Sequence, residues 1–243
     1  MSRRRSVAVV GAGIAGAAAA RGLRDAGFRV RVFDKGRGAG GRLATRRAAD
    51  GLAFDHGAQY LTARDPAFSQ VVERWREACV AEAWGEPGWF VGRPGMAALP
   101  RALLEGIEVA TGCTVARIAR DDDGWALRDG DGLPVASGQR FDAVLLSCPT
   151  PQTETLLASA GAAAAWPEFG AVRYAPCWAL MVAHTGPPVF EEPYRRSFDP
   201  DAAIAWIARD STKPGRAAAS GETLVVHASP AWSRAHLELG AAG

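Results

Sequence analysis

The feature that most restricts the fold of this chain is Gly11-x-Gly13-x-x-Gly16, placed between the apolar run Val7 to Val10 and the helix-forming stretch Ile14 to Ala26. A Val-rich run without polar alternation is the pattern of a strand buried on both faces. Gly27 is suited to stop the helix, and Arg29 to Phe33 alternates into a second strand that ends at Asp34. A βαβ unit of this kind is the nucleotide half of a Rossmann-type domain. Gly11 permits the tight turn, Gly13 lets the backbone approach a pyrophosphate, and Gly16 lets helix and strand pack closely, with Ala15 in the same first turn. The helix N-terminus then faces phosphate charge. Asp34 lies at the end of the second strand, where a carboxylate accepts hydrogen bonds from ribose hydroxyls. Asp34 disfavours a 2′-phosphate, whereas Lys35 and Arg37 favour one, so these residues leave NAD, NADP and FAD open.

Charge and cysteine usage exclude several other classes. The 28 basic and 26 acidic side chains are interleaved and leave a net charge of +2, which gives no field to draw in nucleic acid or a membrane surface. No run approaches the ~20 apolar residues of a membrane span. The opening MSRRRSVAVVGAGIAGAAAA has the basic start of a secretory signal, but its glycines and the continuation through Arg21, Arg24 and Asp25 fit an amphipathic helix better. Cys79, Cys113, Cys148 and Cys177 are far apart and form no CxxC pair, so neither a zinc site nor a disulfide framework is expected. Reduced thiols in a cytoplasmic protein, with no metal, are the expectation.

Beyond the βαβ unit, Lys35 to Asp50 is Gly- and Arg-rich and reads as loop, and Phe54 to Leu61 as strand. Pro66 to Ala78 carries Phe68, Val71, Val72 and Trp75 at helical spacing behind the N-cap candidate Asp65. Ala83 to Val91 reads as strand and turn, and Pro94-Gly95 opens a helix through Leu104. Ile107 to Ile118 and Trp125 to Arg128 read as a meander around the acidic turn at 121–124, and Phe141 to Ser147 as an apolar strand. Thr153 to Ala165 is a weak Ala-rich helix. Strands at Ala171 to His184, Ala203 to Ala208 and Thr223 to His227 form a second sheet, and Pro230 to Leu239 is a final helix.

Gly40-Gly41-Arg42 narrows the cofactor. Two glycines let the chain pass close under a bound group and the guanidinium can pair with pyrophosphate oxygens, although a flexible basic loop would have the same composition. The runs VFDKGRGAGGRLATRR (32–47) and FDHGAQYLTARDPAF (54–68) resemble the renalase family of glutathione-reductase-like flavoproteins, related to the amine oxidase superfamily. Val91 to Met96, Tyr174 to Leu180, Trp206 to Arg216 and His227 to Glu238 extend that resemblance through almost the whole chain.

The resemblance implies an α/β fold, with a Rossmann-like FAD-binding domain around a central parallel sheet, interleaved with a smaller, mostly antiparallel substrate domain. The division expected is 1–62 and 95–152 for FAD, and 63–94 and 153–243 for substrate. It implies noncovalent FAD, with Arg42 and Gly41 at the pyrophosphate, Gln59 and Tyr60 beside the flavin, and the Val115 backbone at the adenine. Members are flavin oxidases; bacterial ones oxidise misprotonated isomers of dihydro-NAD(P) and pass the electrons to oxygen. The expected partners are therefore a small-molecule substrate and molecular oxygen. Hydride transfer to a flavin requires no acid–base dyad, so no catalytic side chain is assigned. Tyr60 and His227 are the candidates, with His56 as support for the cofactor loop and Trp178, Trp206 and Trp232 as walls of an aromatic pocket. A flavin amine oxidase is the enzymatic alternative. Family members continue past the equivalent of Glu238 with a Gly-Asp segment and a helix, whereas this chain runs out as LGAAG; a truncated, weakly active FAD-binding remnant is therefore the second alternative.

Overall fold

The computed structural model describes residues 4–216 and 221–238. The expected helix end at Leu239 and the closing LGAAG lie outside the described residues. In chain order the elements are β1 (Ser6–Val10), α1 (Ile14–Asp25), β2 (Arg29–Phe33), β3 (Arg46–Arg47), β4 (Ala53–Phe54), β5 (Leu61–Thr62) and α2 (Pro66–Glu77). There follow β6 (Ala81–Ala83), β7 (Trp89–Gly92), α3 (Ala98–Leu103), β8 (Glu108–Ala110), β9 (Arg117–Asp121), β10 (Gly124–Arg128), β11 (Ala143–Leu146) and α4 (Thr150–Ser159). The chain closes with β12 (Ala179–His184), β13 (Tyr194–Arg196), β14 (Ile204–Arg209), β15 (Glu222–Ala228) and α5 (Pro230–Ala235).

Two compact units divide these elements: residues 1–42 with 100–172, and 43–99 with 173–243. By packing, residues 43–62 and 95–99 therefore belong with the second unit and 153–172 with the first, which differs from the division expected from sequence.

The first unit is built on a parallel sheet of order β11-β1-β2-β8. Every residue of β1 is buried because the sheet is covered on both faces. Val7, Val9 and Val32 meet Ala17 and Ala20 of α1, whose small side chains let the helix lie close to the strands. On the other side Ala8, Val10 and Phe33 pack with Ile118, Leu127, Phe141 and Leu156 from β9, β10, the β11 approach and α4. Each such fully buried Val, Leu or Phe contributes roughly 1.5–3 kcal/mol of transfer free energy. The expected meander is corrected here. β8 joins the parallel sheet beside β2, residues 111–116 are loop, and only β9 and β10 form a hairpin.

The second unit holds an antiparallel sheet of order β12-β15-β14-β13 and a smaller one of order β5-β7-β6. β13 was not anticipated, because three residues of mixed polarity carry no readable period. The expected strand at Phe54 to Leu61 is instead two short strands with a turn between them, and the strand expected from Ala171 begins at Ala179. The α2 reading holds: Asp65 caps the helix by accepting from the Phe68 N–H at 3.0 Å, with Pro66 in the first turn. No helix among the described residues is long and apolar enough to cross a membrane.

Candidate functional site

In the first unit the glycine turn follows β1 directly. Gly11 has φ +109°, which a side chain would strain, and a Cβ there would meet Ser147 Oγ at 2.5 Å. A Cβ on Gly16 would overlap the Gly11 carbonyl outright and reach the same Ser147 Oγ at 2.5 Å. The hydroxyl of Ser147, at the end of β11, thus occupies the room that both glycines leave, within hydrogen-bond distance of the Val10 and Gly11 carbonyls (3.0 and 3.1 Å). Sequence reading took Phe141 to Ser147 as an apolar strand and gave Ser147 no part in the glycine turn.

Gly13 is the N-cap of α1. It supplies no side-chain cap, and the first turn carries no acidic residue, so neither a capping side chain nor a local carboxylate competes for the N-terminal N–H groups. Ala15 is exposed in that turn. The Gly40-Gly41 segment is docked rather than loose: Gly40 N–H donates to the Ala12 carbonyl at 3.0 Å, Gly13 and Gly40 form a parallel bridge, and a Cβ on Gly41 would come to 3.1 Å from Gly13 Cα. Arg42 follows at an exposed position.

Asp34 accepts from the Ala12 N–H at 2.6 Å and from the Gly36 N–H at 2.7 Å, so its carboxylate braces the glycine turn. A carboxylate offers about four acceptor positions, which leaves capacity for hydroxyl donors. Lys35 beside it is exposed. Val115 lies in the 111–116 loop, half-buried against the core. A glycine cradle that any Cβ would fill, an uncapped helix N-terminus and a strand-end carboxylate together fit an adenine dinucleotide.

In the second unit Gln59 and Tyr60 lie on the turn between β4 and β5. Gln59 is buried and its amide is used within the fold: Nε2 donates to the Asp55 and Gly57 carbonyls, and Oε1 accepts from Lys213 Nζ at 3.2 Å. Around it is a cluster that sequence reading missed. Asp55, Asp210 and Lys213 are wholly buried and Arg216 nearly so, giving two carboxylates balanced by two cations. Lys213 Nζ is 2.8 Å from Asp210 Oδ1 and 3.4 Å from Asp55 Oδ2. Arg216 pairs with Asp55, and its Nε is 3.1 Å from Asp210 Oδ2. Asp55 also accepts from the Met96 N–H and the Thr45 hydroxyl. The available signal was the Asp210-x-x-Lys213 spacing, which the 3-10 turn over Asp210–Thr212 closes by bringing Lys213 back to Asp210.

Tyr60 stacks on Trp89, with ring centroids 3.6 Å apart, and Tyr194 stacks on Trp206 at 4.6 Å; Trp89 and Tyr194 are 5.0 Å apart, which joins the four rings. Of the three tryptophans expected together, only Trp206 is in this group. Trp178 donates its Nε1–H to the His236 carbonyl, and Trp232 stacks on His236 at 4.0 Å, because both sit at the α5 end rather than under β14. His227 Nε2 is 2.9 Å from the His56 carbonyl. A carbonyl only accepts, so Nε2 carries the proton. Burial pushes the His227 imidazole below its usual value, the charge of Lys213 adds to the shift, and the His56 carbonyl opposes it. Three buried atoms here have no partner among the described residues: Trp206 Nε1, His56 Nδ1 and Arg216 Nη1.

Comparison with known proteins gives two family matches. Residues 9–75 match the NAD(P)-binding Rossmann-like domain, and residues 68–239 match the family of flavin containing amine oxidoreductases. Among solved structures, a protein from Exiguobacterium sp. 255-15, provisionally assigned as protoporphyrinogen oxidase, is 14% identical with a TM-score of 0.69, covering 95% of this chain and 78% of that one. Reduced UDP-galactopyranose mutase is 12% identical with a TM-score of 0.67, over 92% and 74%. A redesigned putrescine oxidase is 14% identical with a TM-score of 0.63, over 98% and 78%. At these identities the likeness is one of fold.

Proposed function

The chain belongs to the flavin containing amine oxidoreductases and is an FAD-dependent oxidoreductase, and from that premise we propose that it is a renalase-like oxidase of dihydronicotinamide nucleotide isomers. FAD bound there would supply the hydride acceptor and the route of the electron pair to oxygen, with peroxide as the product. The glycine turn, Asp34, Lys35, Gly41 and Arg42 would hold the dinucleotide, and the Val115 backbone would take the adenine.

One observation carries this reading. Five of the six runs that resemble renalases meet within the second unit: Thr45 from 32–47, Asp55, His56 and Gln59 from 54–68, Met96 from 91–96, Asp210, Lys213 and Arg216 from 206–216 and His227 from 227–238 are joined by hydrogen bonds and ion pairs, with Tyr60 and Trp206 among the rings beside them. The convergence supports a shared site rather than scattered likeness. A hydride donor with a flat ring needs a flat apolar surface and few charges beside it. Tyr60, Trp89 and Trp206 supply the surface. Trp206 Nε1–H, buried without an acceptor among the described residues, would donate to the ring's carboxamide, and a neutral His227 adds no cation.

The test is anaerobic mixing of the holoenzyme with 6-dihydro-NAD and, separately, with putrescine. The reading expects the dinucleotide to bleach the flavin and readmitted air to release one peroxide per donor. Bleaching by the amine alone would give the site to amine oxidation instead.

A further inference from the structure

The cross-strand register of the second unit aligns a row of side chains on one sheet face. Arg196 of β13 lies opposite Trp206 of β14, Trp206 opposite His227 of β15, and His227 opposite Ala179 of β12. Residues two apart on a strand share a face, so Tyr194 stands on the same side as Arg196. The row runs from an exposed guanidinium, past an indole whose buried N–H has no acceptor among the described residues, to the half-buried imidazole of His227.

Arg196 differs from the arginine next to it. Arg195 faces the other side and is paired with Glu192 at 3.0 Å. The Arg196 guanidinium lies over rings instead, 5.9 Å from the Trp89 centroid and 4.8 Å from that of Phe198, a phenylalanine 82% exposed. The acid at this aromatic group is Glu86, whose carboxylate is engaged by the Tyr194 hydroxyl. The guanidinium is thus held at the open edge of the aromatic surface by ring faces, which orient it without neutralising it. A planar fork so placed recognises phosphate and repels an ammonium.

We propose that Arg196 reads an anionic phosphate on the electron donor, so that the donor is a dihydronicotinamide mononucleotide or dinucleotide rather than a riboside or a free amine. This rests on the function proposed above and narrows it. The ring occupies the Tyr60, Trp89 and Trp206 surface, and the phosphate next to its ribose meets the guanidinium one strand away.

The experiment compares 6-dihydronicotinamide mononucleotide with its riboside, which differs only by the phosphate, in the wild type, Arg196→Gln and Arg196→Lys holoenzymes. In the wild type the mononucleotide should have a kcat/KM about tenfold above the riboside, expressed in KM, as expected for one charge-assisted contact at an exposed site. Arg196→Gln should bring the mononucleotide down to the riboside while leaving the riboside unchanged, and Arg196→Lys should fall between. Equal use of both donors by the wild type, or an equal loss on both in Arg196→Gln, overturns the proposal. Tryptophan-fluorescence titration with the oxidised mononucleotide and riboside gives the same comparison without turnover. If no dihydronicotinamide bleaches the flavin, the proposed function fails. A wild-type preference for the oxidised mononucleotide that disappears in Arg196→Gln would still support the phosphate contact, and its absence would refute it.

Discussion

Gly16→Ala and Gly22→Ala put the same methyl group into the same helix with opposite expected signs. Both glycines lie within α1, where replacing glycine by alanine is worth roughly 0.5–1 kcal/mol of backbone entropy and helix propensity. At Gly22 nothing lies within 4 Å of the added Cβ, so the gain is realised. At Gly16 the Cβ overlaps the Gly11 carbonyl and crowds Ser147 Oγ, and neither is the free end of a flexible side chain. Forced overpacking of this kind costs about 1–3 kcal/mol, which outweighs the propensity gain and leaves a net loss of about 1–2 kcal/mol. For a chain of this size each kcal/mol moves Tm by roughly 2–4 °C. Thermal melts of the apoproteins should therefore place Gly22→Ala about 1–4 °C above the wild type and Gly16→Ala roughly 2–8 °C below it. Because relief of the overlap moves the turn that receives the pyrophosphate, Gly16→Ala should also purify with less flavin, measured by its release on denaturation. A Gly16→Ala protein that melts at or above the wild type with full flavin would refute the reasoning.

Three further outcomes follow from the second unit and the site as a whole. Lys213→Met leaves Asp55 and Asp210 facing Arg216 alone in a dry interior and should cost about 3–5 kcal/mol in urea unfolding, with Lys213→Arg recovering part of it. His227, held below its ordinary value of 6.5 chiefly by burial, binds its proton more readily in the unfolded chain. Its contribution to stability is therefore complete above that value and lost as pH falls through the lower folded value, so His227→Gln should flatten the fall of the urea midpoint as pH drops below 6.5. The donor assay is a third check, because only a true electron donor bleaches the flavin anaerobically.

Sequence alone determined the parts whose cause is local. The βαβ unit, its glycine turn and the terminal Asp34 are legible because apolar run, turn glycine and helix period act on neighbours in the chain, and the backbone demands at Gly11 arise within a few residues. The Asp65 cap and Pro66 start of α2 are readable for the same reason. The family resemblance added Gly41, Arg42, Gln59 and Tyr60. Tertiary structure alone decided what meets what. Ser147 fills the space beside Gly11 and Gly16 from 131–136 residues away, and Lys213 clamps Gln59 across 154 residues. The row from Arg196 through Trp206 to His227 exists only in the register of an antiparallel sheet, in which a shift of one residue would turn each side chain to the opposite face. Local preference is written residue by residue, whereas register and buried charge balance emerge only when distant strands exclude water together.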